Sequence, residues 1–325
     1  MGALLGLSEV CVLRGAVSGG PGVVGYEREY DGVLTSEVAL MEVLWEVKDL
    51  VVDVSRGWTK RTITGGKTRV VESLVHRAFS PGIEGSVYWL FVRLGMFIPC
   101  SYCSGLSGLG LSVALANDEP IQVQLPLCSM PDLSTLSRME SVQDKTRTYA
   151  HIILWLCGNA LMVYHHQHAA PRQWLEVFEH LDQWYHLRPA EFQPMVDSTD
   201  GPGFPLLLFV NGAGILCNQL YHTAMLLLLQ CKPRTALLNL QSPTLSPLWH
   251  AQRICGIAMN NDRRESWDPC LIASFLVAAR RMTHEAQQTE ILQGLERVGV
   301  ITGWRVDEYL MQLREDWSLM GSAHV

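Results

Sequence analysis

The residues of this chain that could carry chemistry are a cysteine pair, a histidine cluster and scattered carboxylates. Cys100 and Cys103 have the C-x-x-C spacing of half a zinc site or of a redox dithiol. A zinc site needs a second close pair of cysteines or histidines, and none follows at finger spacing. A redox dithiol needs a strand–helix context, which is not clear here. We therefore expect neither function for this pair.

Three histidines, His165, His166 and His168, close a long helical stretch. Such a group suggests a metal site, but no carboxylate lies alongside it to complete the ligands. Imidazolium groups at the carboxyl end of a helix also interact favourably with the helix dipole without a metal. The sequence therefore predicts no metal-binding residue and no cofactor in this chain.

Catalysis is not predicted from the remaining groups. The carboxylates Glu176, Glu179, Asp182 and Asp268 show no spacing that acid–base catalysis demands. The stretches GIAMN and GAGILCN lack a G-x-S-x-G elbow. The glycine-rich stretch GAVSGGPGVVG lacks the GK[ST] ending of a phosphate loop. We expect that the protein is not an enzyme and has no catalytic or cofactor-binding residue.

Composition limits the classes of partner. The chain has 325 residues, of which 48% are hydrophobic and 18% charged, and its net charge is −7. A charged fraction below the usual quarter indicates extensive burial. An acidic chain is a poor DNA binder by itself, and the basic stretch at 56–69 is predicted to be a solvated loop. Nine scattered cysteines without a signal peptide indicate a reducing, intracellular compartment.

The longest apolar run, residues 204–230, dominates the predicted fold. Its length would permit a membrane span. Asn211, Asn218, Gln219 and His222 lie within it, however, and polar groups inside a membrane are costly. We therefore predict a buried central helix surrounded by other helices, and no membrane association.

Helical periodicity continues through most of the chain, and we find no sustained β alternation. The sequence thus predicts an all-α fold, a single large irregular helical domain of about nine to twelve helices packed ridge into groove. Residues 1–80 are expected to form a poorly defined segment with one or two helices, and residues 81–325 the helical domain. Helices are predicted at 35–54, 84–94, 133–165 (one helix or two), 170–187, 246–259, 268–282, from a Thr283 cap through 294 or beyond, and at 304–317.

Several helices together resemble a known family. The segments are VYWLFVRL and ALANDEP, then KTRTYAHIILWL, WLEVFEHLDQWYHLRPAEFQP and FPLLLF…YHTAMLLLLQCKP, and finally WHAQRICGIAMNN, SWDPCLIASFLVAARRMTH and GWRVDEYLMQLREDW. This order resembles the regulatory region of fungal binuclear zinc-cluster transcription factors, the fungal-specific transcription factor domain. The resemblance covers about two thirds of the chain, from Tyr88 onward.

The resemblance implies a nuclear regulator of transcription by RNA polymerase II. Its partners would be proteins of the transcription machinery or a second copy of the chain, with a small-molecule effector as a further ligand. In the family, an N-terminal six-cysteine cluster binds two zinc ions and reads DNA. That cluster is missing here, so zinc is expected only in a missing N-terminal part, and direct DNA binding by this chain is not expected. Residues 95–108 interrupt the resemblance, and we interpret them as an insert, hypothetically a retained intron.

An effector pocket, if the family function applies, is expected to be apolar with few polar groups. We predict that Trp155, Asn211, Asn218 and His222 line it, with core packing as the alternative role for each. Trp304, Tyr309 and Trp317 are predicted to form an exposed partner face. The alternative functions are a helical scaffold or adaptor without DNA binding, and a truncated, non-functional gene product.

Overall fold

The computed structural model describes residues 74–80, 83–94 and 110–322, apart from 124, 127–130, 137, 140, 167–169, 200, 202, 237–242 and 262. The predicted helix at 35–54, the glycine-rich and basic stretches, the Cys100–Cys103 pair, the predicted insert at 95–108 and His168 lie outside the described residues.

The described part is an all-α domain, as predicted, and it contains ten α-helices and one two-stranded hairpin. The helices are α1 (Ile83–Leu94), α2 (Leu111–Asn117), α3 (Leu133–Leu136), α4 (Val142–His165), α5 (Pro171–Leu187), α6 (Gly212–Gln230), α7 (Pro247–Asn260), α8 (Pro269–Ala279), α9 (Glu285–Thr302) and α10 (Asp307–Ser322). The hairpin is β1 (Val196–Ser198) and β2 (Leu206–Leu208). Short 3₁₀ turns lie at Val75–Arg77, Ala190–Phe192, Pro243–Leu245 and Arg264–Ser266.

Helix α6 is the centre of the fold, and every residue from Gly214 to Leu229 is buried. It packs most extensively against α4 and α7, and also against α8 and α5. By length and composition this helix could cross a membrane, but 78% of its apolar stretch is buried inside the protein. A helix that is apolar on all sides needs neighbours on all sides, and these four helices supply them.

The apolar run does not begin as a helix. Residues 206–208 form β2, and α6 starts only at Gly212, where the side chain of Asn211 accepts a hydrogen bond from the Gly214 amide at 2.7 Å. An asparagine at this position caps a helix because its side chain satisfies an amide that has no partner inside the helix. The prediction of one helix over 204–230 was therefore wrong for its first eight residues.

The hairpin is a small β element within the all-α domain, and the sequence did not predict it. Its strands pair antiparallel, with Asp197 opposite Leu207. The hairpin lies on α7, where the Asn261 amide donates to the Leu207 carbonyl at 2.7 Å and the Asn260 amide donates to the Pro205 carbonyl at 3.2 Å. A Cβ at Gly256 would overlap that same Pro205 oxygen. The hairpin thus depends on a close approach that only glycine permits.

Other boundaries follow the sequence signals closely. Pro171 starts α5 and Arg188 ends it, Ser246 caps α7, and Asp268 caps α8. The stretch 133–165 forms two helices, because Ser141 caps α4 separately. These caps work because their side-chain oxygens accept hydrogen bonds from amides of the first turn.

Two expectations near the carboxyl end were wrong. Thr283 does not cap α9, which begins after His284 without a side-chain cap. The predicted aromatic partner face is not exposed: Tyr309 is buried, and Trp304 and Trp317 pack against the core. The Trp317 indole donates to the Ala279 carbonyl at 3.1 Å, so this residue attaches α10 to the end of α8.

Candidate functional site: a buried polar cluster around Arg253

Helix α7 places one arginine inside the protein. The Arg253 side chain is only 5% exposed, and it follows the pattern of the inward-facing residues Ile254 and Ile257. Its guanidinium forms a two-pronged ion pair with Asp197 of β1. The Nη1–Oδ1 distance is 2.9 Å, and Nη2 contacts Oδ2. A buried arginine needs such a partner, because an unpaired charge in the interior is strongly disfavoured.

Two histidines continue this interaction inward, and the direction of every hydrogen bond can be deduced. The Thr244 carbonyl can only accept, so His250 Nε2 donates to it at 2.9 Å. His250 Nδ1 must then accept from His222 Nδ1 at 2.8 Å. His222 Nε2 in turn accepts from Arg253 Nε at 3.4 Å. We call Asp197, Arg253, His222 and His250 the polar cluster.

Both imidazoles of the polar cluster are held neutral. Burial lowers the pKa of His222 well below its usual range, and the nearby His250, Arg253 and Arg188 lower it further. Burial lowers the pKa of His250 to about 4, against a raising effect from its bond to Thr244. The charge of the polar cluster is therefore confined to Arg253 and Asp197.

Aromatic rings surround the polar cluster. Tyr185 of α5 stacks on Tyr221 of α6, with ring centroids 4.3 Å apart. Trp249 lies beside His222 at 5.5 Å, and the Arg253 guanidinium carbon sits 4.7 Å from the Trp249 ring centroid. Such a contact is favourable because the face of an indole is electron-rich.

A second arginine, Arg188, stands at the edge of this group. Its guanidinium carbon lies 3.6 Å from the Tyr185 ring centroid, and its Nη1 donates to the Tyr185 carbonyl. Its Nε is buried and has no hydrogen-bond partner among the described residues. Burial lowers the pKa of Arg188, and the charge of Arg253 contributes to that lowering. Two cations therefore share one aromatic environment.

The nitrogen atoms of the two histidines in the polar cluster are all occupied. Each imidazole nitrogen already has a hydrogen-bond partner, so neither histidine offers a free lone pair to a substrate or a metal. Cys255, two residues after Arg253 on α7, is buried, and burial raises the pKa of its thiol. A protonated, inaccessible thiol is a poor nucleophile.

The four predicted pocket residues do not share one set of partners. Asn211 and Asn218 both donate to the turn before β1, to the carbonyls of Glu191 at 3.2 Å and Phe192 at 2.6 Å. His222 belongs to the polar cluster. Trp155 lies on α4 and donates to the Pro126 carbonyl at 3.1 Å. All four satisfy protein groups, and their predicted role in binding an effector stays a prediction.

The histidine cluster is only partly described. His165 Nε2 lies 3.8 Å from Asp118 Oδ1, and His166 Nδ1 lies 2.9 Å from the Met162 carbonyl oxygen. Among the residues that the structure describes, no three histidine, cysteine or acidic side chains are placed to hold a metal ion.

Sequence reasoning found only His222 of the polar cluster. A signal for Arg253 existed, because a charged residue next to Ile254 and one turn before Ile257 falls on an apolar helix face and is rarely buried unpaired. Asp197 gave no such signal, since it lies 56 residues from Arg253 and outside every predicted helix.

Comparison with known proteins gave no relative from which a role could be transferred: no family model, no curated protein and no solved structure matches this chain.

Proposed function

We propose that the chain is the regulatory domain of a fungal zinc-cluster transcription factor, which controls transcription by RNA polymerase II through partner or effector binding. The protein would act in the nucleus. Its partners would be proteins of the transcription machinery or a second copy of the chain. Zinc and direct DNA reading would belong to an upstream cluster, and no residue of this chain is assigned to either.

The observation that supports this proposal is that several of the segments that resemble the family contact one another in the folded domain. Arg188 comes from WYHLRPAEF, His222 from YHTAMLLLL, and His250 and Arg253 from WHAQRICGIA. These three separate segments converge on the polar cluster, beside the buried centre of α6. A buried, fully bonded polar group fixes how helices fit together, and a ligand or partner that alters it would favour a second arrangement.

The proposal can be tested by fusing the chain to a bacterial repressor DNA-binding domain in yeast, with that repressor's operator upstream of a reporter gene. We expect reporter transcription to change at least several-fold relative to the DNA-binding domain alone, because a regulatory domain carries its effect to a new promoter. Arg253→Gln is the matched variant, and it should reduce the effect at equal protein level. An unchanged reporter would favour the scaffold or adaptor function.

A second test concerns the DNA-reading part. Reading the transcript upstream of the Met1 codon should reveal an in-frame six-cysteine cluster followed by basic residues. A stop codon immediately upstream in the mature transcript would contradict the zinc-cluster assignment for this gene.

A further inference from the structure

The ion pair of the polar cluster is uneven in its exposure. The Arg253 side chain is 5% exposed, whereas the Asp197 side chain is 39% exposed. The cation is therefore fixed inside the protein, and its anion reaches it from the solvent side. The Asp197 carboxylate is thus the member of the ion pair that faces water.

The position of the Arg253 side chain does not depend on Asp197 alone. His222 accepts from Arg253 Nε at 3.4 Å, and Trp249 packs on the guanidinium. The hairpin does not need the ion pair either, because Asn260 and Asn261 hold it to α7 by separate hydrogen bonds. Arg253 and the hairpin thus each have contacts in which Asp197 takes no part.

The residues around Arg253 indicate which kind of ligand could replace the Asp197 carboxylate. The Arg253 fork matches the two oxygens of a carboxylate. Arg188 adds a second positive charge, and it bears a buried Nε without a partner among the described residues. The rings of Tyr185 and Trp249 lie beside these cations and are half-buried. Their faces already contact Tyr221, Arg188 and Arg253, so a ligand ring would meet the ring edges. An aromatic carboxylate combines the required charge with a flat apolar group.

We propose that Arg253 and Arg188 form a binding site for a small aromatic carboxylate and that the Asp197 side chain is its internal competitor. The ligand carboxylate takes the place of the Asp197 carboxylate on the Arg253 fork. Its ring lies beside Tyr185 and Trp249, and its charge is shared with Arg188. This inference rests on the proposed function, because the aromatic carboxylate would be the small-molecule effector of the regulatory domain.

The test uses sodium benzoate as the probe and neutral benzamide as its control, with purified full-length chain at constant ionic strength and isothermal titration calorimetry as the readout. We expect wild type to bind benzoate with a Kd in the millimolar range and benzamide at least tenfold more weakly. Asp197→Ala should bind benzoate at least tenfold more tightly than wild type, because the competitor is removed. Asp197→Asn, which keeps the shape of the side chain, is the second variant if the alanine variant does not fold.

Two further variants separate a specific site from a general change in charge. Arg188→Gln in the Asp197→Ala background should weaken benzoate binding at least threefold. Asp182→Asn removes an exposed carboxylate from the same neighbourhood, but not from Arg253, and should change the affinity by less than twofold.

Equal binding of benzoate and benzamide by wild type, or equal benzoate affinity in wild type and the Asp197 variants, overturns the proposal. Both outcomes are independent of the reporter assay, because they are measured on purified protein without a promoter. A failed reporter assay with a positive titration would remove the transcriptional role and leave the binding site.

Discussion

Two arginine–aspartate ion pairs lie in different regions of this protein, and they differ in their access to solvent. Arg253 and Asp197 join α7 to the hairpin, and the Asp197 side chain is 39% exposed. Arg93 and Asp268 join the end of α1 to the start of α8, and both side chains are at most 11% exposed. We call the first the open pair and the second the closed pair.

The aspartates also differ in what else they hold. Asp268 accepts a hydrogen bond from the Cys270 amide at 2.8 Å and so caps α8, in addition to facing Arg93 at 3.4 Å. Asp197 contacts Arg253 alone among the partners that the structure gives it. The closed pair is therefore built into the core, whereas the anion of the open pair is partly exposed and bonded to Arg253 alone. From this comparison we expect stability to depend more on the closed pair, and the proposed binding to depend on the open pair.

The largest effect is expected at the closed pair. Asp268→Ala removes a helix cap and leaves Arg93 buried beside an apolar side chain, so we expect a loss of about 3–5 kcal/mol in the free energy of unfolding. Urea denaturation followed by circular dichroism measures it. Asp268→Asn is the control: its oxygen can still cap α8, so it should recover part of the loss. Full recovery by asparagine would show that the charge contributes nothing.

Acid should act more strongly on the region of the open pair. An unfolded histidine titrates near pH 6.5, while the folded pKa values of His222 and His250 are lower. Below pH 6.5 the unfolded state therefore binds protons that the folded state excludes, and stability falls as the pH decreases. For the two residues together we expect a loss of about 2 kcal/mol between pH 6.5 and 5.5, and the loss from His250 should continue to about pH 4.

The matched control for the acid effect is His151, which stacks on Trp89 with ring centroids 5.9 Å apart. Burial lowers its pKa to about 3, and the charges of Arg147 and Arg93 add to this. Denaturation curves at several pH values for His151→Gln should keep most of the acid sensitivity of wild type. If that variant loses most of its acid sensitivity, the effect belongs to the region of the closed pair.

A smaller effect is expected for the aspartate of the open pair. Asp197→Ala should lower the free energy of unfolding by about 1–2 kcal/mol, because water can enter and solvate the exposed side of Arg253. The same urea denaturation measures it. A loss as large as that of Asp268→Ala would show that the two pairs are equivalent and would remove the basis for the comparison.

The smallest change in the free energy of unfolding is expected at an exposed ion pair. Arg314 and Glu296 approach to 3.8 Å, with both side chains more than half exposed. Arg314→Ala should change the free energy of unfolding by less than about 0.5 kcal/mol, since solvent screens such a pair. A larger loss would indicate that Arg314 stabilises α9 and α10 through packing.

The sequence predicted the secondary-structure elements of this fold better than the contacts between them. The composition of the central run was enough to predict a buried α6, and Pro171 and Ser246 marked the starts of α5 and α7. The hairpin was missed because strands of three residues are too short to show alternation. Asn211 was predicted to line a pocket, although an asparagine before Gly212 is also a helix cap.

The polar cluster shows why the candidate site was harder to predict than the fold. Arg253 bonds to a residue 56 positions before it and to His222, 31 positions before it. Periodicity reports which face of a helix is apolar, and it carries no information on which helix a polar residue on that face will meet. Only the packing of α6, α7 and the hairpin together determines these pairings.

Gly256 gives a way to recognise distant relatives of this protein. The Pro205 carbonyl oxygen is in close contact with Gly256. Any larger residue at this position would therefore displace the hairpin, and with it Asp197, relative to α7. In a set of related sequences, an acidic residue at the position of Asp197 should therefore be inherited together with glycine at the position of Gly256. Lineages that lose the glycine should also lose the aspartate, which makes the two positions a paired signature for database searches.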